Sequence, residues 1–389
     1  MNKIEMSAAA MGDVSISVFD SMSDAEAAWR AFESTSDNYI FQTYDWLRLW
    51  HDCIGAHEDI LPHIVLISGR DDRPLVLLPL AIQKSSGVKR LVWLGGKETD
   101  YQGPLLARDF WSRIDPEGFK DLWARVLAAL PAFDVIFFEK QPATIGEHKN
   151  PFLALGCIPY VEDAHFTRLV GSWDEYFRSK RSSKKRGKYR NQENGLRKLG
   201  ELSFGIVSEP AQVHAALEEL FEWKSQQYDQ TGVQNNLRWV GRKEFYEGMV
   251  LDPELGKTIK LFVLKIDDEV ISGDICAPYK RRNTGIFHFG YNRKLSKYSV
   301  GELLRMKITE WCFENGMEIY DYSIGDDTYK NIWCEGTLNL YSYTEAKTIK
   351  GWALIALRRT RNRLSGITWL KSAVRSARSF VVKRQQRGR

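Results

Sequence analysis

The chain has 389 residues, a length that suits two domains of ordinary size better than one. Hydrophobic side chains at 43% and charged side chains at 27% exclude an intrinsically disordered protein. The net charge of +5 is unevenly distributed: residues 351–389 hold eleven Lys and Arg and no acidic residue, so the rest of the chain is net acidic. This distribution argues against a general nucleic-acid-coating role.

The sequence shows no targeting, cross-linking or metal-binding signal. Its five cysteines stand singly, without a CxxC pair or a Cys/His ligand spacing, which favours a reducing compartment and predicts no metal site. The first twenty residues lack the apolar core of a signal peptide, and no window approaches the roughly 18 apolar residues of a membrane span. We therefore expect a cytoplasmic protein.

Hydrophobic periodicity divides the first half into helices and strands in a definite order. Its predicted elements are helices over 24–34 and 44–53, strands starting near residues 63, 74 and 88, a helix over 117–130 and a strand from residue 133. Short polar connections between the three central strands predict an antiparallel meander.

The second half repeats that order. Its predicted elements are helices over 211–228 and 242–250, strands starting near residues 258, 269 and 284, a helix over 302–314 and a strand from residue 318. The repetition predicts one α/β unit used twice, with a mixed sheet because the last strand returns parallel. Two unrelated α+β domains are the alternative. The expected boundaries are 14–165 and 166–348, followed by a basic amphipathic helical tail over 349–389.

The segment from residue 289 to residue 302 has the features of an anion-binding site. A polar loop containing Lys297 ends at Gly301, where a helix is predicted to begin, and the amides and dipole of a helix start suit a pyrophosphate. Gly290 in the preceding strand permits close approach to the backbone. The predicted cofactor-binding residues are Phe289, Gly290, Tyr291, Lys297, Ser299, Val300, Gly301 and Glu302.

Candidate proton acceptors flank this loop. His288 lies in the strand before it and titrates near neutrality when unperturbed, although a packed, hydrogen-bonded histidine is the alternative. The strand from residue 318 leads into further polar groups, so the predicted catalytic residues are His288, Asp321, Asp326 and Tyr329. Lys330 and Trp333 add a charge and a flat apolar face that suit a sugar; a solvated turn is the alternative.

Three stretches together carry a family resemblance: the basic run RSSKKRGKYRNQENGLRKLG, the loop and helix YSVGELLRMKITEWCFENG, and DYSIGDDTYKNIW. They resemble the CelD/BcsL-type acetyltransferases of the GNAT superfamily, which are linked to cellulose and exopolysaccharide biosynthesis and are related to FemAB-like double GNAT proteins.

The resemblance implies tandem acyl-CoA N-acyltransferase folds with the chemistry in the second half. Acetyl-CoA or another acyl-CoA would be the donor. The acceptor would be a hydroxyl or amino group of a saccharide or small envelope metabolite. The first half would form the acceptor side of the groove, with Trp46, Asp100 and Tyr101 as candidate substrate-binding residues.

Several alternatives remain open at this point. Residues 178–198 hold ten basic side chains and one acid. They fit either a solvated linker or a contact with an anionic acceptor or the 3′-phosphate of the coenzyme. The tail fits either a peripheral membrane contact or packing on the acidic body. A FemAB-like transferase using aminoacyl-tRNA and a non-catalytic scaffold are the alternative functions; nucleic acid is expected as a partner only in the first of these.

Overall fold

The structure is a computed structural model, and it describes residues 2–4, 14–232, 234–325 and 330–365. In chain order the strands are β1 (Asn2–Ile4), β2 (Ser15–Phe19), β3 (Ile60–Ser68), β4 (Pro74–Ser85), β5 (Val88–Trp93), β6 (Leu105–Leu106), β7 (Val135–Pro142), β8 (Thr144–Ile145), β9 (His148–Lys149), β10 (Ile158–Pro159), β11 (Ala164–Arg168), β12 (Leu202–Val207), β13 (Lys260–Ile266), β14 (Glu269–Tyr279), β15 (Arg282–Tyr291), β16 (Ile319–Ile324), β17 (Gly336–Leu338) and β18 (Leu340–Ala346).

The helices alternate with these strands as the repeated order predicts. They are α1 (Met22–Thr35), α2 (Tyr44–Cys53), α3 (Phe110–Arg113), α4 (Pro116–Ala129), α5 (Trp173–Lys180), α6 (Ser183–Arg197), α7 (Pro210–Thr231), α8 (Arg242–Leu251), α9 (Leu255–Thr258), α10 (Val300–Glu314), α11 (Lys330–Trp333) and α12 (Ile349–Ser365). No helix among the described residues combines the length and the apolar character needed to cross a bilayer.

The described strands form two large mixed sheets built on the same plan. The first runs β1-β2-β3-β4-β5-β7-β18-β10, and the second runs β12-β13-β14-β15-β16-β11-β17. Each sheet has one parallel pair, β5 with β7 and β15 with β16, and a helix connects the two strands of each pair. The predicted tandem α/β fold with mixed sheets is confirmed.

One strand crosses between the predicted units. β18 lies within the predicted second unit, 166–348, but pairs antiparallel with β7 of the first sheet. β11, in the connection between the units, pairs antiparallel with β16 of the second sheet. The sequence boundary predicted at residue 165 therefore does not separate the strands of the two sheets, because the chain returns to the first sheet at residue 340.

Helices from both units share one hydrophobic core. Trp46 and Trp50 of α2 and Leu220 and Phe245 of α7 and α8 belong to the same cluster of buried side chains. The rings of Trp46 and Phe245 meet edge to face with centroids 5.5 Å apart. Because this apolar contact crosses the units, the side chains at their junction are held in fixed relative positions.

Glu33, near the end of α1, lies under the turn between β14 and β15. The amide of Tyr44 donates to Glu33 Oε2 at 2.7 Å, and Lys280 Nζ donates to the carbonyl oxygen of Glu33 at 3.2 Å. Burial raises the pKa of Glu33 from 4.5 to about 7. The folded protein therefore keeps this proton at pH values where the unfolded chain has released it, so stability is lost as pH rises from 4.5 towards 7.

We expect the substitution Glu33→Gln to remove this pH dependence while keeping the acceptor for Tyr44. Between about pH 5 and about pH 8, the free energy of unfolding of the unsubstituted protein should fall by about 2 kcal/mol relative to the variant. Urea unfolding at both pH values measures the difference. Glu26→Gln, on the same helix at a solvent-exposed carboxylate, is the control. Parallel pH profiles for the protein and Glu33→Gln would show that the Glu33 proton is not linked to folding.

Candidate active site

The two parallel strands of the second sheet part after three residue pairs. β15 and β16 are in register at Arg282 with Ile319, Asn283 with Tyr320, and Thr284 with Asp321. Beyond that point, among the strands that the structure describes, β16 continues alongside β11 and β15 pairs with β14 alone. From Gly285 onwards, one edge of β15 is therefore left without a neighbouring strand and can offer its backbone groups to a ligand.

Gly290 lies on this unpaired stretch of β15, beside a β-bulge. The register with β14 skips Phe289, since Gly290 faces Gly273 and His288 faces Asp274. Gly290 has φ +99°, a conformation that other residues rarely adopt. Among the described residues, a Cβ added there would meet Gln227 Oε1 at 4.0 Å and nothing nearer, so the described part of the chain leaves the space beside Gly290 open. Strand, bulge and glycine thus make a backbone surface that a carbonyl-bearing ligand can approach.

The loop after β15 forms a 3-10 turn, Arg293–Tyr298, and leads directly into α10. At the helix start, the amides of Glu302 and Leu303 both donate to the carbonyl oxygen of Ser299, at 3.0 and 3.1 Å. The amides of Val300 and Gly301 donate no hydrogen bond to another described residue. Because Val300 is completely buried, the amide of Gly301 is the one at this helix start that remains available to a diphosphate among the described residues.

Two of the predicted cofactor-binding side chains are engaged within the protein. Val300 is fully buried in the core under α10. The Glu302 carboxylate accepts hydrogen bonds from Arg181 Nη2, at 3.1 Å, and from the Tyr189 hydroxyl. Both side chains consequently position the helix start, and Val300 has no exposed surface with which to contact a donor. Ser299 is the αL residue before α10, and its hydroxyl accepts from Gln192 Nε2 at 2.8 Å.

The basic helix α6 is docked onto this loop. Its buried residues are Tyr189, Gln192 and Leu196, and Tyr189 and Leu196 join the core under α10. At Gly195 the ring of Tyr298 comes so close that an added Cβ would lie 2.6 Å from Cε1. The expectation of a solvated linker is wrong for this helix, because its apolar residues form one buried side while its lysines face solvent.

Arg181 joins α6 to the motif around Trp333. Its side chain is 1% exposed, and its guanidinium carbon lies 3.8 Å above the Trp333 ring centroid. Trp333 is itself buried, so the prediction that its face binds a sugar is corrected: the ring is covered by the cation of Arg181. Lys330 is also buried, and its ammonium donates to the carbonyl oxygens of Ser323 and Ile324 at the end of β16, at 3.1 and 2.6 Å.

His288 forms a pair with Asp274 on the adjacent strand. Its Nδ1 lies 2.9 Å from Asp274 Oδ2, and Asp274 is buried. The ring lies against Gly285, where an added Cβ would be 3.0 Å from Nε2, and Nε2 has no appreciable solvent exposure. This geometry matches the alternative of a packed, hydrogen-bonded histidine. Neither ring nitrogen of His288 is accessible to a substrate, so this geometry does not support the predicted role of His288 as a base.

Asp321 lies at the last position where β16 pairs with β15. Its carboxylate belongs to a buried network that joins the two halves. Arg282 Nη1 lies 2.7 Å from its Oδ2, and the Tyr101 hydroxyl and the Ser323 amide donate to its Oδ1 at 2.7 and 2.8 Å. Burial raises the pKa of Tyr101 well above its usual range. With both oxygens occupied and 1% exposure, Asp321 is placed as a structural anion and not as the predicted base.

The structure brings part of the predicted acceptor side to this network. Tyr101 contacts Asp321, and Asp100 accepts a hydrogen bond from the Ser323 hydroxyl, with Lys140 Nζ 3.7 Å away. Trp46 is elsewhere: its ring is fully buried, and its Nε1 donates to Thr99 Oγ1 at 2.9 Å. The substrate-binding role predicted for Trp46 is corrected, because the ring has no exposed face. Asp326 and Tyr329 lie outside the described residues, and their predicted roles stay predictions.

Sequence reasoning missed several residues of this region. Asp274 stands in an apolar strand, and Lys224 on α7 donates to the carbonyl oxygen of His288 at 2.8 Å. A carboxylate within the run EVISGDICAPY is the one signal that could have marked Asp274, since a buried acid needs a partner. Arg181 and Gln192 lie in a run of polar residues where nothing distinguishes a docked side chain from a solvated one.

Comparisons with known proteins agree with this geometry. Residues 183–331 match the profile of the acetyltransferase (GNAT) domain. The structure is similar to FemX, with a TM-score of 0.58, 12% identity and coverage of 88% of this chain and 99% of FemX. It is also similar to the C-terminal domain of an Agrobacterium fabrum protein described as a putative lysylphosphatidylglycerol synthetase, with a TM-score of 0.51, 10% identity and coverage of 86% and 96%.

A tandem GNAT protein from the clavulanic acid biosynthesis pathway also matches, with a TM-score of 0.46, 10% identity and coverage of 86% of this chain and 98% of that protein. No curated protein matches the chain in sequence. Residues 183–331 thus match a GNAT acetyltransferase domain, and the chain as a whole has a fold similar to that of FemX.

The Asp321 network predicts a stability effect that a catalytic role would not produce. Arg282→Met should lower the free energy of unfolding by about 3–5 kcal/mol, because it leaves a buried carboxylate without its cation. The double variant Arg282→Met/Asp321→Asn keeps acceptors for Tyr101 and Ser323 without a buried charge, and should recover a large part of that loss. Urea unfolding of the single and double variants gives the coupling energy. Additive losses would mean that Arg282 and Asp321 do not act as a pair.

Proposed function

We propose that the second half binds an acyl-CoA and transfers its acyl group to a hydroxyl or amino group of a saccharide or related envelope metabolite. The observation that carries the proposal is the edge of β15 beyond Thr284, which has no described strand beside it and includes Gly290. The GNAT profile match over residues 183–331 supports the reaction class. The motif resemblance to CelD/BcsL-type proteins supports a saccharide acceptor.

The first half lacks such an opening, although its strands part in the same way. β5 and β7 are in register only at Arg90 with Val135 and Leu91 with Ile136. Just beyond, Trp93, Phe138 and Phe152 are buried against one another, with centroids of Trp93 and Phe138 4.6 Å apart. Aromatic side chains thus pack close to the point where the parallel strands of the first sheet part. This contrast supports donor binding by the second half alone.

The chain's own groups fit an acyl-CoA. The amide of Gly301 lies at a helix start, where a diphosphate is favoured, and Lys297 is exposed in the turn before it. When bound, an acyl-CoA supplies the acyl group as a thioester. The unpaired edge of β15 can then donate a backbone N–H to the carbonyl oxygen as negative charge develops there. The acceptor group loses a proton as it attacks, and the departing thiolate of coenzyme A takes up a proton. Asp326 and Tyr329 remain the candidates for this proton transfer.

The donor placement is tested by adding charge at one position. We expect Gly301→Asp to weaken acetyl-CoA binding at least about tenfold, because a carboxylate in the first turn repels the diphosphate, while the helix dipole keeps the substitution compatible with folding. Isothermal titration calorimetry with acetyl-CoA measures the change.

The matched control is Gly301→Asn, which has the same size without the charge. In both variants the new Cβ would lie 3.2 Å from the Tyr291 ring, so any steric effect is shared. Equal weakening by Asp and Asn would refute the diphosphate placement at α10. Absence of acetyl-CoA binding by the unsubstituted protein would refute the donor itself and favour the scaffold alternative.

A second candidate is a FemAB-like transferase that uses aminoacyl-tRNA. The observation in its favour is a row of exposed cations on α6, including Lys184, Lys185, Lys188 and Arg190. Together these side chains form a basic surface along the helix that can contact successive phosphates of a nucleic acid. Under this alternative, unfractionated tRNA should bind at about 0.15 M salt and compete with acetyl-CoA. Under the acyl-CoA proposal, tRNA binding should vanish at that salt concentration while acetyl-CoA binding persists. Gel-shift titrations with and without acetyl-CoA distinguish the two.

A further inference from the structure

A groove of about 570 Å³ runs between α6 and the turn that precedes α10. Its lining residues are Lys184, Gly187, Lys188, Asn191, Gln192, Lys297 and Tyr298. Three of these are lysines, and no acidic side chain lines the groove. Among the described residues, none of the three lysines forms an ion pair, although the same helix also carries a paired cation, Arg197 with Glu193. The groove is thus a concentration of positive charge that the described protein does not neutralise.

Specific contacts hold the two walls of the groove in place. Gln192 Nε2 donates to Ser299 Oγ at 2.8 Å and to the Lys297 carbonyl oxygen at 3.3 Å. Tyr298 packs at Gly195, whereas a Cβ on Gly187 would meet nothing within 4 Å. The small residues therefore have different effects: Gly195 lets the loop dock, and Gly187 leaves the groove open. A groove fixed in this way does not need to be organised by its ligand.

We propose that this groove binds the 3′-phosphorylated nucleotide end of the acyl donor. The inference rests on the proposed function, because Lys297 and Tyr298, which line the groove, directly precede Ser299 and the start of α10. A diphosphate at the helix start leaves the nucleotide within reach of the adjoining groove. Lys184 and Lys188 face the ligand with charge suited to a phosphate monoester, and Tyr298 offers an aromatic ring for a base.

The test compares coenzyme A with 3′-dephospho-coenzyme A by isothermal titration calorimetry on the full chain. The unsubstituted protein should bind coenzyme A about tenfold more tightly. Lys184→Gln/Lys188→Gln should abolish that preference by weakening coenzyme A alone. The control, Lys185→Gln/Lys198→Gln, removes the same charge from exposed positions of the same segment that do not line the groove, and should preserve the preference.

Each result separates this inference from the proposed function. Equal affinities for the two ligands would leave the acyl-CoA proposal standing and overturn the nucleotide groove. Equal weakening of both ligands by Lys184→Gln/Lys188→Gln would also overturn it, since the lysines would then act by general attraction. Loss of tRNA binding in the same variant, with no preference for coenzyme A, would assign the groove to a longer polyanion. Failure of both ligands to bind would remove the proposed function together with the groove.

A second inference comes from α12, which rests on the first sheet by one side only. Gly351 packs against the carbonyl oxygen of Asp134, where an added Cβ would lie 2.1 Å away. Arg358 Nη2 donates to Glu139 Oε1 at 2.8 Å, and its guanidinium carbon lies 3.9 Å from the Phe137 ring centroid. Trp352 and Leu357 are nevertheless 61% and 68% exposed. The helix is thus anchored with large apolar side chains directed away from the protein.

We also propose that α12 docks on a bilayer surface that contains anionic phospholipid. Charge complementarity selects this occupant, because residues 351–389 combine those apolar side chains with eleven cations and no acid. Cations near an anionic surface contribute about 1 kcal/mol each, and partly inserted Trp and Leu add apolar burial.

Vesicle flotation tests this surface. The full chain should float with phosphatidylcholine vesicles containing about one third phosphatidylglycerol and stay behind with pure phosphatidylcholine. Trp352→Ser/Leu357→Ser should reduce flotation at least about fivefold. Ile158→Ser/Val161→Ser, at sites 65% and 83% exposed elsewhere, should leave it unchanged. Equal flotation with both vesicles, or no effect of the α12 variant, would overturn the inference. Conversion of a dimer to a monomer by that variant would instead assign the surface to a second copy.

Discussion

The carboxylate of Asp321 fixes the point at which the two parallel strands of the second sheet separate. It occupies the last register position shared with β15, and its partners come from β15, from β16 itself and from the first half, through Arg282, Ser323 and Tyr101. A buried charge with three partners strongly favours one arrangement of those elements. The unpaired edge of β15 therefore begins where this network ends, and the candidate donor site depends on it. Contact between the halves is in this sense a condition for the site.

The elements around the helix start depend on a second set of contacts. The Glu302 carboxylate is held by Arg181 and Tyr189, and Arg181 in turn covers Trp333. The motif residues Lys330 and Trp333 thus stabilise other parts of the site. Lys330 donates hydrogen bonds to the end of β16, and the Trp333 ring packs against Arg181, which binds Glu302 of α10. The role of this motif is therefore to impose a geometry on the strand end and the helix start. Motifs can mark sites by shaping them as well as by touching the substrate.

Much of the fold could be predicted from periodicity because most elements bury one face within their own unit. The helix predicted over 44–53 coincides with α2, and the strand predicted from residue 74 begins β4 at that residue. β11 and β18 could not be predicted in the same way, since their partners lie far away in sequence. Their pairing depends on where the other unit's sheet ends, which no local pattern encodes.

The positions that the sequence could indicate are those where the backbone itself would contact a ligand. Gly290 and Gly301 were proposed because a residue without a side chain, in a strand or at a helix start, lets a ligand reach the backbone, and the structure places them on the unpaired stretch of β15 and in the first turn of α10. Trp46 and Trp333 were misassigned because an aromatic residue suits a core and a binding face equally well, and only burial distinguishes the two. Asp321 was misassigned for a related reason: its partners, Arg282 and Tyr101, come from another strand and another unit.

The remaining question of proton transfer follows from these placements. Among the described residues near the opening, His288 is committed to Asp274 and Asp321 to Arg282, so neither offers an accessible lone pair. Asp326 and Tyr329, predicted from the sequence as catalytic residues, belong to the run between Gly325 and Lys330. Lys330 is buried against the carbonyl oxygens of Ser323 and Ile324, so the start of α11 is tied to the end of β16, the strand that separates from β15.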